Sequence, residues 1–84
     1  MTEDLKKRIF ATLQKEMHVD PASLDPDSDF REKINIDSMQ FVTLMARLEN
    51  EFDIEIPISA MEATTLNEFL GILNVELEKK AVLR

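Results

Sequence analysis

The segment between Asp37 and Pro57 constrains the fold of this chain more than any other part of the sequence. Asp37 is a good N-terminal helix cap, and Gln40 follows it at the spacing of a capping box. Pro57 prevents a helix from continuing through it. The sequence therefore predicts one amphipathic helix from about Ser38 to about Phe52, with a serine in its first turn.

Two more long helices are predicted, one on each side of this segment. The first covers about residues 3–17, where apolar residues recur at intervals of three and four and Thr2 is a suitable N-cap. The last opens at a capping box formed by Thr65 and Glu68 and continues to about residue 79 or 80. Each helix has one apolar face, which it must bury against the others.

The connection between the first two long helices covers residues 18–36, where Pro21 and Pro26 argue against a continuous helix. A short helical turn is expected at residues 59–63. The sequence thus predicts an all-α fold, a small four-helix bundle with three longer helices, one short helix and a long loop between the first two long ones. We expect residues 1–84 to form one domain. Four apolar residues should pin the loop to the core: Leu24, Phe30, Ile34 and Ile36.

The composition excludes several kinds of site. The chain has no cysteine and one histidine, so disulfides, cysteine-ligated metals and multi-histidine metal sites are excluded. Any thiol chemistry requires an added group. The first residues lack the apolar core of a signal peptide, and no apolar run reaches the ~20 residues that span a membrane. We therefore expect a cytoplasmic protein that is not embedded in a membrane.

Three aspartates, Asp25, Asp27 and Asp29, have the spacing that opens a calcium-binding EF-hand loop. That loop needs glycine at its sixth position and glutamate at its twelfth. This chain has Phe30 and Ile36 there, so no dedicated metal site is predicted. Weak, diffuse binding of divalent cations by the acidic surface is the expectation that remains.

The net charge of -7 is concentrated in the middle of the chain. Residues 20–62 contain eleven acids but three bases, Arg31, Lys33 and Arg47. Such a field repels nucleic acid and favours basic protein surfaces as partners. From the charge alone, a solvated acidic surface is the better interpretation, but the coincidence with Asp37 and Ser38 favours a docking role. The acids are Asp20, Asp25, Asp27, Asp29, Glu32, Asp37, Glu49, Glu51, Asp53, Glu55 and Glu62.

Ser38 is the residue most suited to chemistry. A serine at a helix start is usually part of the cap, but the first-turn amides have no intrahelical partner and attract anions such as a phosphodiester. The chain has no Gly-x-Ser-x-Gly motif, and His18 lies at the far end of the first helix. A small hydrolase that uses Ser38 is therefore disfavoured, and we predict a substrate of another enzyme rather than an enzyme.

Residues 35–39 read Asn-Ile-Asp-Ser-Met, and the helix that follows leads into Glu-Phe-Asp-Ile-Glu-Ile-Pro at residues 51–57. This pattern resembles the modification site of acyl carrier proteins, in which Gly-x-Asp-Ser-Leu precedes a helix that ends in Glu-Phe-x-x-x-Ile-Pro. The resemblance covers nearly the whole chain, including Thr-Thr-Leu at residues 64–66. It implies that Ser38 carries 4'-phosphopantetheine, transferred from coenzyme A by a separate holo-acyl-carrier-protein synthase.

The resemblance also implies a cargo and a docking surface. The thiol of the arm would hold acyl groups as thioesters for fatty-acid or related lipid biosynthesis. Fatty-acyl carriers can shelter the chain among their helices, here in an adaptable core of Phe41, Leu44, Met45, Leu48 and Ile72. Acyl-transfer and synthase enzymes with basic surfaces would dock on a monomer. The expected docking residues are Asp37, Met39, Val42, Ala46 and Glu49.

The sequence departs from the family pattern at several positions. Asn35 stands in place of the glycine, and Met39 in place of the leucine after the serine. Gln40 and Thr43 stand where many fatty-acid carriers have acids, and Ile58 where an aspartate is common. These differences favour a specialised carrier whose recognition is less electrostatic than usual.

Two other functions fit the same sequence. One is a carrier of the same fold for polyketide, peptide or lipopolysaccharide acylation, which the acyl group on the arm would distinguish. The other is an unmodified helical interaction protein whose acidic helix binds a basic partner, and there Ser38 could be replaced without consequence.

Overall fold

The computed structural model describes residues 2–34 and 36–82, so Asn35 and its turn lie outside the described residues. Within these ranges there are four α-helices, and the three long ones are those that the sequence predicts; the short one is not the expected turn at residues 59–63, which forms a 3-10 helix instead. Two short 3-10 helices accompany them. The α-helices are α1 (Glu3–Met17), α2 (Phe30–Ile34), α3 (Ser38–Phe52) and α4 (Leu66–Val82), and the 3-10 helices are Pro21–Ser23 and Ile58–Glu62.

The bounds of α1 and α3 agree with the predicted ones because side chains cap their first turns. The Thr2 hydroxyl accepts a hydrogen bond from the Leu5 amide at 3.2 Å, and Asp37 caps α3. Both helices end at a residue in the left-handed region, His18 (φ 60°) and Asp53 (φ 52°), although neither is glycine. Aspartate tolerates this conformation better than most residues, so α3 stops before Pro57 is reached.

The loop between α1 and α3 contains the short α2, which the sequence did not predict. The Phe30 amide donates to the Thr64 carbonyl at 3.0 Å, and the Asp29 carboxylate accepts from the Glu32 amide at 3.1 Å. The Asn67 amide donates to the Pro26 carbonyl at 3.0 Å. These bonds fasten the loop to the start of α4. Within the two described ranges no strand is formed, apart from one isolated bridge between Asp29 and Thr65.

The last helix differs from the prediction at both ends. It continues to Val82, two or three residues past the expected end. Lys80 donates to the Phe52 carbonyl at 2.9 Å and contacts Asp53 at 3.3 Å, so the last turn of α4 is held against the end of α3. At the start, the capping box is half formed: Thr65 accepts from the Glu68 amide at 3.0 Å. The Glu68 carboxylate accepts from Thr64 rather than from Thr65.

The core lies between α1, α3 and α4 and is covered at one end by α2. Phe30 is fully buried, and the other three apolar residues of the loop pack against the core, as predicted. No helix in the described ranges is both long and apolar enough to cross a membrane. The fully buried core side chains include Ile9, Leu13, Phe30, Phe41, Leu44, Leu48 and Phe69.

Candidate functional site

Ser38 is the first residue of α3, and its side chain is exposed. A complete capping box holds it there. The Asp37 carboxylate accepts from the Gln40 amide at 2.8 Å, and the Gln40 side chain accepts from the Asp37 amide at 3.0 Å. The predicted box is therefore confirmed, and the backbone conformation at the serine is set by its immediate neighbours.

The helix start has the chemistry that a phosphodiester requires. The carboxylate and the carbonyl of Asp37 accept from the amides of Gln40 and Phe41. The described residues provide no acceptor for the amides of Ser38 and Met39, which lie at the positive end of the helix dipole. An exposed hydroxyl beside two such amides fits a phosphate group, and another protein can reach it.

The exposed face of α3 beside Ser38 is apolar. Met39 is 74% exposed and Val42 is 46% exposed, and Ala46 is exposed one turn further on. The polar neighbours fold back onto their own helix: Gln40 is used in the capping box, and the Thr43 hydroxyl donates to the Met39 carbonyl at 3.0 Å. The side chains of Met39, Val42 and Ala46 therefore give this face an exposed apolar part.

No acid interrupts this face between Ser38 and Glu49. The one base there, Arg47, forms an ion pair with Glu16 of α1 at 2.7 Å. The net acidity of the middle of the chain therefore comes from its loops and from the end of α3, and the first turns of α3 are uncharged after Asp37.

Glu49 lies apart from the other expected docking residues. Its side chain is half-buried, and one carboxylate oxygen accepts from the Ile56 amide at 3.0 Å. It thus supports the turn that follows α3. The structure brings Asp37, Ser38, Met39, Val42 and Ala46 to one exposed face, while a docking role for any of them stays a prediction.

The three aspartates of the loop are used for local structure. Asp25 accepts from the Asp27 amide at 2.9 Å, Asp27 accepts from the Asn67 side chain at 2.7 Å, and Asp29 caps α2. Among the described residues, no group of three or more histidine, cysteine or acidic side chains is arranged to hold a metal ion.

Arg31 is a residue near this end of the bundle that the sequence did not single out. Its guanidinium lies over the Phe41 ring, 4.3 Å from the centroid, and donates to the Met61 carbonyl. It thereby joins α2, α3 and the second 3-10 helix. A base in an otherwise acidic loop was the available signal, but spacing alone could not reveal its contacts.

Comparison with known proteins gives a consistent result. A sequence model of the family described as "Phosphopantetheine attachment site" matches residues 7–73. The chain is 32% identical over 72 residues to the acyl carrier protein of Thermosynechococcus vestitus, covering 84% of this chain and 89% of that one. It is 36% identical over 58 residues to the acyl carrier proteins of Chlorobium phaeobacteroides and Chlorobium phaeovibrioides, covering 68% of this chain and 74% of each of those.

Proposed function

Because this chain belongs to the acyl carrier protein family, we propose that Ser38 is the residue that carries its prosthetic group. The covalent group of this family is 4'-phosphopantetheine. The observation that supports Ser38 most strongly is its exposed hydroxyl at the capped start of α3, directly after Asp37.

The chain acts as the substrate in this modification. The Ser38 oxygen forms a bond to the phosphorus of coenzyme A that bears the pantetheine, adenosine bisphosphate leaves, and the hydroxyl proton passes to a base of the transferase. A base of this chain is not expected to take part, because its single histidine, His18, caps the far end of α1. The capping box of Asp37 and Gln40 fixes the backbone on which Ser38 is presented.

Once attached, the group supplies the thiol that this cysteine-free chain lacks, and acyl groups are held on it as thioesters. The chain itself positions the arm and presents a contact surface. We infer that Asp37, Met39, Val42 and Ala46 contact the holo-synthase and the enzymes that load and unload the arm, and that Glu49 contributes at the edge.

The biosynthetic pathway is the least specific part of the proposal. Family membership favours fatty-acid or related lipid biosynthesis in the cytoplasm, by a monomeric carrier whose one domain is the whole of residues 1–84. Polyketide, peptide or lipopolysaccharide acylation is the second candidate, and the uncharged face of α3 after Asp37 favours it. That face lacks the acids that many fatty-acid carriers present.

The modification is tested by incubating the protein with coenzyme A, Mg2+ and a broad-specificity holo-synthase. The intact mass should rise by one phosphopantetheinyl group. Ser38→Ala should abolish the gain and keep the helical circular dichroism, whereas Ser59→Ala, at another exposed serine, should be modified normally. A mass gain that persists in Ser38→Ala, or unmodified wild-type protein, would contradict the assignment.

The docking surface is tested by restoring charge to α3. Gln40→Glu with Thr43→Glu keeps a residue able to form the capping box and adds two acids to the exposed face. We expect faster association with a basic holo-synthase at low salt, by up to about tenfold, and little difference at high salt. The matched control is Ala11→Glu with Gln14→Glu, which adds two acids at the same spacing on an exposed part of α1. Equal rates for all three proteins would remove α3 from the interface.

A further inference from the structure

Met39 is the most exposed methionine that the structure describes. It is 74% exposed, whereas Met17, Met45 and Met61 are partly buried and pack against the core. Peroxides oxidise the thioether of methionine, and they reach an exposed sulfur more readily than a packed one. Among the described residues, Met39 is therefore the methionine that an oxidant meets first.

The packing of α3 fixes Met39 on the outer side of this helix. Phe41, two residues further on, is fully buried, and its ring contacts those of Phe30 and Phe69 at centroid distances of 6.3 and 5.6 Å. Because successive helical residues are about 100° apart, a residue two positions before a buried one lies on the opposite side. The Met39 side chain is therefore held on the outside of the bundle as long as α3 is folded.

The surroundings of Met39 on this face are apolar. Val42, at the next position on the same side of α3, is 46% exposed. The nearest polar side chains bind their own helix, since Gln40 accepts from the Asp37 amide and the Thr43 hydroxyl donates to the Met39 carbonyl. Because Met39 directly follows Ser38, a protein that reaches the Ser38 hydroxyl also meets the Met39 thioether.

Oxidation changes the chemical character of this side chain. A peroxide such as hydrogen peroxide transfers one oxygen atom to the sulfur of Met39. A sulfur–oxygen bond forms, the oxygen–oxygen bond of the peroxide breaks, and water leaves. The sulfur loses two electrons and the peroxide gains them. The product is a sulfoxide, which is polar and accepts hydrogen bonds, in place of an apolar thioether.

A sulfoxide in the middle of an apolar contact surface is unfavourable for docking. Burying a polar group without a hydrogen-bond partner costs enough free energy to weaken binding by roughly tenfold. The leucine of the family pattern has no sulfur to oxidise, whereas this chain has methionine at that position. The substitution therefore introduces a sensitivity to oxidants beside the attachment residue.

We propose that Met39 is an oxidation site, and that its sulfoxide weakens docking of the holo-synthase on α3 and so slows the modification of Ser38. The proposal rests on the function proposed above, in which Met39 belongs to the docking surface. The change is reversible, because methionine sulfoxide reductases restore the thioether. In that step two thiols are oxidised to a disulfide, and the sulfoxide oxygen leaves as water.

The first measurement locates the oxidation. The protein is treated with limiting hydrogen peroxide, digested with trypsin and analysed by tandem mass spectrometry, because Met39 and Met45 share the fragment of residues 34–47. We expect Met39 to react at least about threefold faster than Met17, Met45 or Met61. Equal rates at these four positions would overturn the assignment of the site.

The second measurement is the ratio of modification rates after and before oxidation, with the peroxide removed before the holo-synthase is added. In wild type the ratio should fall roughly tenfold at low carrier concentration, through a higher KM and with kcat unchanged, because binding is what weakens. A sulfoxide reductase should restore it. In Met39→Leu the ratio should stay near one, whereas the matched control Met45→Leu should respond as wild type does. An unchanged wild-type ratio, or an equal fall in Met39→Leu, would overturn the proposal.

Two further measurements separate this proposal from loss of stability and from the modification itself. The thermal midpoint should be the same before and after oxidation, since the Met39 side chain lies outside the core; a lower midpoint that tracks the rate would overturn a docking effect. If untreated wild-type protein gains no phosphopantetheinyl group, the assignment of Ser38 fails. The affinity of the oxidised and reduced carriers for the holo-synthase, measured without coenzyme A, then decides: weaker binding of the oxidised form supports the proposal, and equal affinities refute it.

Discussion

The two ends of the bundle are held together by different kinds of contact. At the Ser38 end, a capping box between near neighbours fixes the helix start, and three buried rings lie beneath it. At the other end, about 21 Å away along α3, the contacts are made by surface cations. Arg8 lies 4.8 Å from the centroid of Phe52, and Lys80 binds the Phe52 carbonyl and Asp53.

This difference distinguishes the Ser38 end, where the position of one residue must be precise, from the distal end, where the contacts need only keep the helices together. Contacts between exposed charges contribute little and weaken with salt, whereas buried rings and the hydrogen bonds of a cap depend on it less. The attachment residue is thus positioned mainly by interactions that ionic conditions alter little. We expect changes at the distal end to leave the geometry around Ser38 undisturbed.

The largest effect is expected from a buried ring at the Ser38 end. Phe30→Ala should lower the free energy of unfolding by about 3–5 kcal/mol, because it leaves a cavity among fully buried side chains. Leu77→Ala, at a half-buried distal position, should cost less than about 2 kcal/mol. Urea denaturation measures both. A larger loss of unfolding free energy in Leu77→Ala than in Phe30→Ala would reverse the comparison of the two ends. Phe30→Leu replaces Phe30→Ala in the comparison if the alanine variant does not fold.

The capping box at the Ser38 end should contribute less to the free energy of unfolding than the buried ring does. Asp37→Ala removes the acceptor for the Gln40 amide and should cost about 1 kcal/mol, with faster amide exchange in the first turn of α3. Asp37→Asn keeps an acceptor and is the control, expected to lose a few tenths of a kcal/mol at most. If both variants matched wild type, the cap would not be what fixes Ser38.

At the distal end, two neighbouring lysines distinguish a structural contact from a surface ion pair. Lys80→Met should cost about 1 kcal/mol, since it removes a donor from the Phe52 carbonyl. Lys79→Met breaks a pair with Glu76 alone and should cost less than about 0.5 kcal/mol. The part of the Lys80 effect that comes from Asp53 should disappear in about 1 M salt. Identical costs for the two variants would show that the distal end lacks a specific contact.

The smallest effect is expected in the middle of α4, between the two ends. Gly71 is exposed, and a Cβ built on it meets nothing within 4 Å. Gly71→Ala should therefore stabilise the protein by about 0.5–1 kcal/mol through the lower entropy of the unfolded chain. Asn67→Ala, at another exposed position of α4, removes the bond to Asp27 and should not stabilise. If Gly71→Ala were less stable than wild type, the added methyl group would have to meet an unfavourable contact that the structure does not show.

The sequence predicted the elements whose signals are local. The sequence was sufficient to place α1 and α3 from Thr2, Asp37 and the spacing of apolar residues, because caps and helical faces depend on residues that are close in sequence. The short α2 was missed because its five residues contain too little periodicity, and it depends on the Thr64 carbonyl, which is distant in sequence.

The candidate site divides in the same way. The capped position of Ser38 and the exposure of Met39 and Val42 follow from the pattern of α3. The contact of Glu49 with Ile56 and the stacking of Arg31 on Phe41 do not, since each depends on where the chain returns after a turn.

The hydrogen bonds between the loop and the start of α4 have a consequence for when Ser38 can be modified during synthesis. The Phe30 amide and the Pro26 carbonyl find their partners in Thr64 and Asn67, which the ribosome adds long after Ser38. An unfinished chain has the residues of the capped helix that presents the serine, but it lacks the support beneath it, and an isolated helix of this length is marginal in water. We expect a nascent chain released before residue 64 to be a poor acceptor of the phosphopantetheinyl group. The transferase would then modify completed molecules and would not consume coenzyme A on fragments.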